Sequence, residues 1–402
     1  MTHIDPPGPW VSWDHHVTHR QNGHHKKHSP PPEPRPPVSR RNCSNYRRGR
    51  PVGRPRAARP PVQRRIGPDR SQRMIANVFQ GMPTRDVMVL FSFLAAIGVV
   101  YAATGVIVIR YLWRLAIGSK KRPTSAWLKW GRRVILTLAV VGVLCGLYGW
   151  LVEPYWLETT HAQAPTAKLP PGAKPIRIVH ISDLHCDPKV RLEDELPQAV
   201  AELRPDIICF TGDAVNSPAG LANFRRCMTA LAKIAPTYAV WGNWEHFFPT
   251  LDYYGGTGVH LLDDTSIQQT IDGQPVTIAG IRHRRDLRSG MQRALASIEG
   301  EGPVVLLCHM PSIILELPGR GVDLCLSGHI HGGQVALPIY GAMVTLTPTG
   351  KRFERGLYKH EDTHLYVSRG LGIEGGGNAP RLRFCARPEV TLIELVPDRP
   401  AP

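Results

Sequence analysis

The chain has 402 residues, enough for one large domain or two ordinary ones, and a formal net charge of +17. That charge is concentrated: residues 1–86 hold 17 Lys and Arg against 5 Asp and Glu, residues 87–172 hold 9 against 2, and residues 173–402 hold 23 against 25. The region of globular composition is therefore close to neutral, and no nucleic-acid partner is expected from it.

Residues 1–86 contain 15 prolines and 7 of the 18 histidines, with no period able to bury a core, and read as a disordered basic segment. Its histidines, from His15 to His28, read as solvated low-complexity sequence rather than a metal site. Translation from Met74, Met82 or Met88 would make most of this segment an artefact of the assigned start, which N-terminal sequencing of the native protein would test. From Val87 to Ile109 run 23 uncharged residues, long enough at about 1.5 Å each to span a bilayer core of about 30 Å. A second uncharged run, Val134 to Val152, has 19 residues. Both are expected to be transmembrane helices, with Trp113, Trp127, Trp130, Trp150 and Trp156 near their ends. The basic loop between them, 110–133, carries Arg110, Arg114, Lys120, Lys121, Arg122, Lys129, Arg132 and Arg133 and no acid. The positive-inside rule assigns this loop to the cytoplasm, which leaves the following domain on the external or periplasmic face.

A linker is expected over 153–174 and a catalytic domain over 175–402. Strands are predicted at Ile176 to Ser182, Ile207 to Thr211, Tyr238 to Trp241, Val276 to Ile281, Val304 to Cys308, Leu324 to Ser327, Leu365 to Ser368 and Val390 to Leu395. Helices are predicted at Leu192 to Leu203, Leu221 to Ile234 and Leu287 to Ile298. This alternation indicates an α/β sandwich of layered sheets. The eight cysteines show no zinc-binding spacing, and those in apolar runs, such as Cys209 and Cys308, read as buried free thiols. Free thiols favour a reducing compartment, in tension with an external location.

Five polar clusters stand where apolar strands end: Asp183-Leu184-His185, Gly212-Asp213, Gly242-Asn243-Trp244-Glu245, Cys308-His309 and Gly328-His329-Ile330-His331. Strand carboxyl ends are where loops of an α/β sheet converge over a crevice, so these side chains could meet on one metal site. In an extended chain residues two apart point the same way, which suits the pairs Asp183 with His185 and His329 with His331 to a common metal. The glycines let the backbone turn as each strand ends.

In order and spacing these clusters resemble the calcineurin-like metallophosphoesterase family, whose motifs run D-x-H, G-D, G-N-H-[DE], H and G-H-x-H. The likeness covers roughly residues 175–395. The stretches His180 to His185, Gly328 to Gln334 and Val367 to Gly372 look like the branch of that family with N-terminal membrane or export segments. The resemblance implies a four-layer αββα sandwich holding two metals. Asp183, His185 and His331 would hold one, Asn243, His309 and His329 the other, and Asp213 would bridge them. Oxygen and imidazole donors without thiolate suit Mn, Fe or Zn. Two such ions sharing a hydroxide would hydrolyse a phosphate ester or pyrophosphate. The membrane anchor suggests a phosphorylated small-molecule or lipid-linked substrate.

One position departs from the family: Trp244 stands where the third motif has a histidine that serves the leaving group. His246, two residues on, is the candidate replacement, alongside Asp213 and Asn243 as catalytic residues. Arg282-His283-Arg284-Arg285 reads as a solvated basic turn, with contact to a substrate phosphate as the sharper alternative. Gly375-Gly376-Gly377 reads as a flexible loop, and Arg369 has no assigned role. Two other functions stay open: a non-catalytic metal-binding membrane protein that binds a phosphorylated partner, and a chain whose working part is the basic N-terminus.

Overall fold

The computed structural model describes residues 83–118, 123–296, 298, 300–375 and 381–398. The expectations for residues 1–82, for Lys120, Lys121 and Arg122, and for Gly376 and Gly377 lie outside the described residues.

Helix α1 (Thr84–Ala116, 33 residues) and helix α2 (Ala126–Leu151, 26 residues) are each long and apolar enough to cross a membrane. Ser125 starts α2 by accepting the Leu128 N–H on its Oγ at 3.4 Å, and Pro154, which cannot continue a helix, follows its end. Both helices run past the uncharged stretches, so Arg110, Arg114, Lys129, Arg132 and Arg133 are helical rather than part of the loop expected over 110–133. Lys and Arg are good helix formers whose long stems let the charge reach water, so charge does not end the helix. Tyr101 Oη donates to the Ala139 carbonyl at 3.2 Å, holding the pair together.

Both helices meet the α/β domain at the ends away from their connection. Pro83 and Asp86 lie against Gly350, and the Arg383 N–H donates to the Gly149 carbonyl at 2.9 Å. Just past α2 the buried Glu153 carboxylate accepts the N–H groups of Cys385 and Ala386 at 2.9 and 2.5 Å. A buried carboxylate held by two amides fixes the end of this helix to the domain.

The strands are β1 (Glu158–Thr166), β2 (Ile176–Ile181), β3 (Ile207–Phe210), β4 (Thr237–Ala239), β5 (His260–Leu261), β6 (Thr265–Ile271), β7 (Gln274–Ile281), β8 (Val304–Cys308), β9 (Leu324–Ser327), β10 (Ala336–Leu337), β11 (Gly341–Ala342), β12 (Gly356–His360), β13 (Thr363–Val367) and β14 (Glu389–Pro397). They form two six-stranded sheets, ordered β1-β14-β2-β3-β4-β5 and β12-β13-β9-β8-β7-β6, and the small pair β10-β11. Side chains alternate across each strand. Ile176 and Ile178 of the first sheet therefore meet Val305, Leu307, Leu324 and Leu326 of the second in a core between the sheets. Val179, Ile181, Ile208 and Phe210 face outward onto helices α3 (Leu196–Glu202) and α4 (Leu221–Ala232). Ala279, Leu306 and Cys325 face outward onto helix α5 (Leu287–Ala296) and the turn at Pro311–Glu316. The result is the four-layer αββα arrangement expected.

The linker expected over 153–174 contains β1, a nine-residue edge strand parallel to β14. Its sequence, ETTHAQAPT, is poor in β-branched apolar residues because one side faces solvent and only small residues such as Ala162 and Ala164 turn toward the core. Five of the seven cysteines outside the N-terminal segment, Cys186, Cys209, Cys227, Cys308 and Cys325, are buried free thiols, as expected.

Candidate active site

The five polar clusters converge at one edge of the sandwich. Asp183 and His185 follow β2, Asp213 follows β3, and Asn243 follows β4 in the first sheet. His309 follows β8, and His329 and His331 follow β9 in the second. The convergence is not produced by extended backbone as alternation suggested. Asp183, His185, Asp213, His329 and His331 all sit at positive φ, between 40° and 70°. Left-handed backbone at a non-glycine residue costs on the order of 1–3 kcal/mol and is concentrated where function over-determines geometry. Each strand end here curls sharply and turns its side chain into the crevice. The glycines serve close approach: a Cβ on Gly328 would overlap the Asp183 carboxylate, and one on Gly242 would overlap Asp213.

Two groups of donor atoms result, each with its members within 4.8 Å of one another: Asp183, His185 and His331, and Asp213, His309 and His329. Asp213 Oδ2 lies 3.2 Å from His309 Nε2 and 3.6 Å from His185 Nε2, so one carboxylate faces both groups. Asn243 Oδ1 lies 2.9 Å from both His309 Nε2 and His329 Nδ1. All seven expected donors are therefore brought together. Carboxylate, amide and imidazole donors, none a thiolate, fit two divalent ions of the Mn, Fe or Zn type.

The surrounding contacts orient these side chains. His309 Nδ1 is 2.8 Å from the Thr211 carbonyl, which turns Nε2 toward the crevice, and His329 Nε2 is 3.2 Å from the Leu346 carbonyl, which does the same for its Nδ1. The His329 N–H donates to both Asp183 carboxylate oxygens, at 3.1 and 3.2 Å. Burial pushes the imidazoles of His185 and His329 down to about 3 and about 4, so both are neutral donors at ordinary pH. Burial also opposes charge on His309, but the adjacent Asp213 carboxylate outweighs it and raises that imidazole to about 10. For Asp213, burial favours the neutral acid and His309 opposes it more strongly, lowering the carboxyl to about 2.

Four residues near the crevice stand outside the expected donor set, His283 among them as part of the expected solvated basic turn. Glu245 is buried and accepts the N–H groups of Gly242, Ala214 and Asp213 at 2.8, 2.8 and 3.2 Å, tying the ends of β3 and β4 together. Burial first, then the nearby Asp213 charge, lifts its carboxyl to about 7. Its place in the third motif was the available signal. The Arg383 guanidinium is fully buried, with Nη2 3.2 Å from His331 Nδ1 and Nη1 donating to the carbonyls of Arg369 and Ala386 at 2.9 and 2.7 Å. Nothing in the sequence marks a lone arginine 52 positions after its histidine. Glu374 accepts from the Trp244 indole at 3.0 Å, and burial raises its carboxyl. The His283 ring stands edge-on to His309 with centroids 5.9 Å apart.

Trp244 packs edge-on against His185 at 5.1 Å, and its backbone N–H donates to Asp213 Oδ1 at 2.8 Å. His246 is not brought to the donor groups. Its Nε2 lies 2.5 Å from the His283 carbonyl, because the short 3₁₀ turn Trp244–Phe247 directs it outward against Trp241 and His283. The basic turn is already paired within the protein: Arg282 and Arg284 reach Asp263 at 2.8 and 3.1 Å, and Arg282 covers the Trp241 ring. Arg369 is clamped to Glu389 and Glu158 at 2.6 and 2.9 Å, joining the loop after β13 to β14 and β1.

A cavity of about 530 Å³ opens beside these residues. His329, His331, Trp244 and Glu374 line one part, and Leu90, Phe93 and Leu94 of α1 line another. The three helix residues are spaced i, i+3 and i+4 and so share one face.

Residues 176–333 match the family model described as calcineurin-like phosphoesterase. The uncharacterised metallophosphoesterase YkuE of Bacillus subtilis is 32% identical over 263 residues, covering 62% of this chain and 90% of the relative. Phosphodiesterase YaeI of Escherichia coli is 30% identical over 275 residues, covering 65% and 96%. A transmembrane protein with a metallophosphoesterase domain from Danio rerio is 28% identical over 286 residues, covering 66% and 63%. With two apolar helices ahead of a site able to hold two metals, these matches mark a membrane protein and a dinuclear metal-dependent hydrolase. The chain belongs to the calcineurin-like phosphoesterase family.

Proposed function

We propose that the protein hydrolyses a lipid-linked phosphate ester or pyrophosphate at the crevice built by the two sheets. Asp183, His185 and His331 would hold one divalent ion and Asn243, His309 and His329 the other, with Asp213 facing both donor groups. When bound, two such ions would supply a shared hydroxide near neutral pH and screen the phosphoryl oxygens. The chain's own residues set the positions. Glu245 holds the Asp213 and Asn243 loops in register, Thr211 and Leu346 aim two imidazoles, and Arg383 steadies His331. With Trp244 in place of the usual histidine and His246 directed outward, leaving groups that need little protonation are favoured. The helices serve as spans and residues 175–402 as the catalytic domain, extended by β1. The positive-inside rule supports an external face for that domain.

The observation that carries the lipid-linked reading is the cavity that runs from His329 and His331 to Leu90, Phe93 and Leu94 on the membrane-spanning face of α1. A phosphorylated head would lie at the polar end and an apolar tail against the helix. The full chain in detergent, given Mn²⁺, is expected to hydrolyse aryl phosphate esters, with turnover lost in Asp213→Ala. A long-chain phosphate ester should be preferred to a short-chain one, and Phe93→Ser should raise its KM about tenfold, the effect of one lost apolar contact. Two bound metals without turnover on any ester would sink the hydrolytic reading, and equal turnover of long- and short-chain esters would sink the lipid-linked one.

A further inference from the structure

A second cavity, of about 480 Å³, is lined by Trp150, Tyr155, Asp187, Lys189, Arg191 and Arg381 among others. Its cationic side is built rather than casual. The Arg191 side chain is only 8% exposed and is held by the His185 carbonyl, to which its Nη2 donates at 3.0 Å. Its Nε and Nη1 are buried with no hydrogen-bond partner among the described residues, and the same is true of Arg381 Nε. A buried donor of a charged group left unpaired costs on the order of 1–3 kcal/mol or more; these three atoms are closed to the cavity itself, so an anion seated there would offset the cost through its charge on the two guanidinium groups rather than by bonding those atoms. One carboxylate, Asp187, serves both guanidinium groups, at 2.6 Å from Arg381 and 3.7 Å from Arg191. Counting Lys189, the lining keeps an excess of positive charge.

The other side of the cavity indicates where the acceptor comes from. Trp150 closes the last turn of α2 and Tyr155 follows it in the 3₁₀ turn Glu153–Tyr155, and both are exposed. An aromatic pair at the end of a span lies at the depth of lipid headgroups. We infer that this cavity seats the phosphate of an anionic phospholipid, with Arg191, Arg381 and Lys189 on the phosphate oxygens and Trp150 and Tyr155 beside the glycerol and upper chain. The lipid is a bound partner and not the substrate. It lies outside the donor groups and fixes the domain against the bilayer at the point where α2 enters it. The inference rests on the membrane reading of α2 and is independent of turnover.

The test uses the full chain in nanodiscs of phosphatidylcholine with or without phosphatidylglycerol, then native mass spectrometry of the released protein. Wild type should retain phosphatidylglycerol in preference to phosphatidylcholine. Lys189→Gln should lower that preference about fivefold, the effect of one basic residue near an anionic membrane surface, and Arg381→Gln by at least as much. Metal-dependent turnover of an aryl ester should stay unchanged in Lys189→Gln, which shows that the fold survives. Equal retention of both lipids by wild type would overturn the inference. So would inorganic phosphate stabilising wild type but not Lys189→Gln while phosphatidylglycerol does neither, because the site would then belong to a free anion.

Discussion

The two sheets contribute different chemistry to one crevice. Loops of the first supply Asp183, Asp213 and Asn243 together with a single imidazole, His185, whereas loops of the second supply only imidazoles, His309, His329 and His331. Neither sheet alone holds a complete donor group: His331 crosses to Asp183 and His185, and Asp213 meets His309 and His329. The carboxylates therefore lie on one layer and three of the four imidazoles on the other. Two consequences follow. The site forms only when the layers pack, and the Asp213 carboxylate on one sheet raises the His309 imidazole on the other.

Metal removal should give the largest effect. Ions that join the two sheets bind the folded chain far better than the unfolded one, so a thousandfold excess over Kd stabilises by about 4 kcal/mol. For a domain of this size that is a Tm shift of about 8 to 16 °C on chelation, read by thermal unfolding with and without EDTA. If chelation abolished turnover but left Tm in place, the donors would not be joining the layers.

Much of this crevice is readable from sequence because every donor stands directly after a β-rich apolar run, and strand ends gather at one edge of a sandwich. What the sequence could not show is how they gather. The left-handed backbone at Asp183, His185, Asp213, His329 and His331 is imposed by tertiary contact, such as the His329 N–H on Asp183, and no residue type there announces it. Arg383 and Glu374 were invisible for a related reason: each meets the site through a partner far away in the chain, His331 or Trp244. Strand β1 was hidden by its edge position, since a strand with one wet face needs only small residues on the other. His246, though close in sequence, lies against Trp241 and His283, because the 3₁₀ turn after Asn243 directs it outward.

The imidazole-poor first sheet can be tested by returning a histidine to it. Trp244→His places an imidazole on the loop that holds Asn243, at the cost of the indole contacts to His185 and Glu374. If protonation of the leaving group limits the reaction, alkyl phosphate esters should gain up to about 10²-fold in kcat/KM while aryl esters stay within a few fold. Equal change for both leaving groups would mean that the indole acts through packing on His185 and that its replacement of histidine has no bearing on proton transfer.

The smallest effect is the pH dependence of the metal-free protein. His309 is raised from its ordinary 6.5 to about 10, so the stability it contributes is fully present below pH 6.5 and is lost as pH rises through about 10. Glu245 acts in the same direction: its carboxyl is raised to about 7, so its favourable protonated form is lost as pH rises from about 4.5 through 7. Asp213 is depressed and works the other way, but only in acid, where its contribution is lost as pH falls through about 2. In EDTA, Tm should therefore fall by a few degrees between pH 6.5 and 8.5. With Mn²⁺ bound the slope should vanish, because an ion held by His309 and Asp213 would displace the His309 proton. His309→Gln should flatten the chelated profile above about pH 7.5, beyond the Glu245 transition, and a chelated slope that survived there would show that the proton shared between the two sheets resides elsewhere.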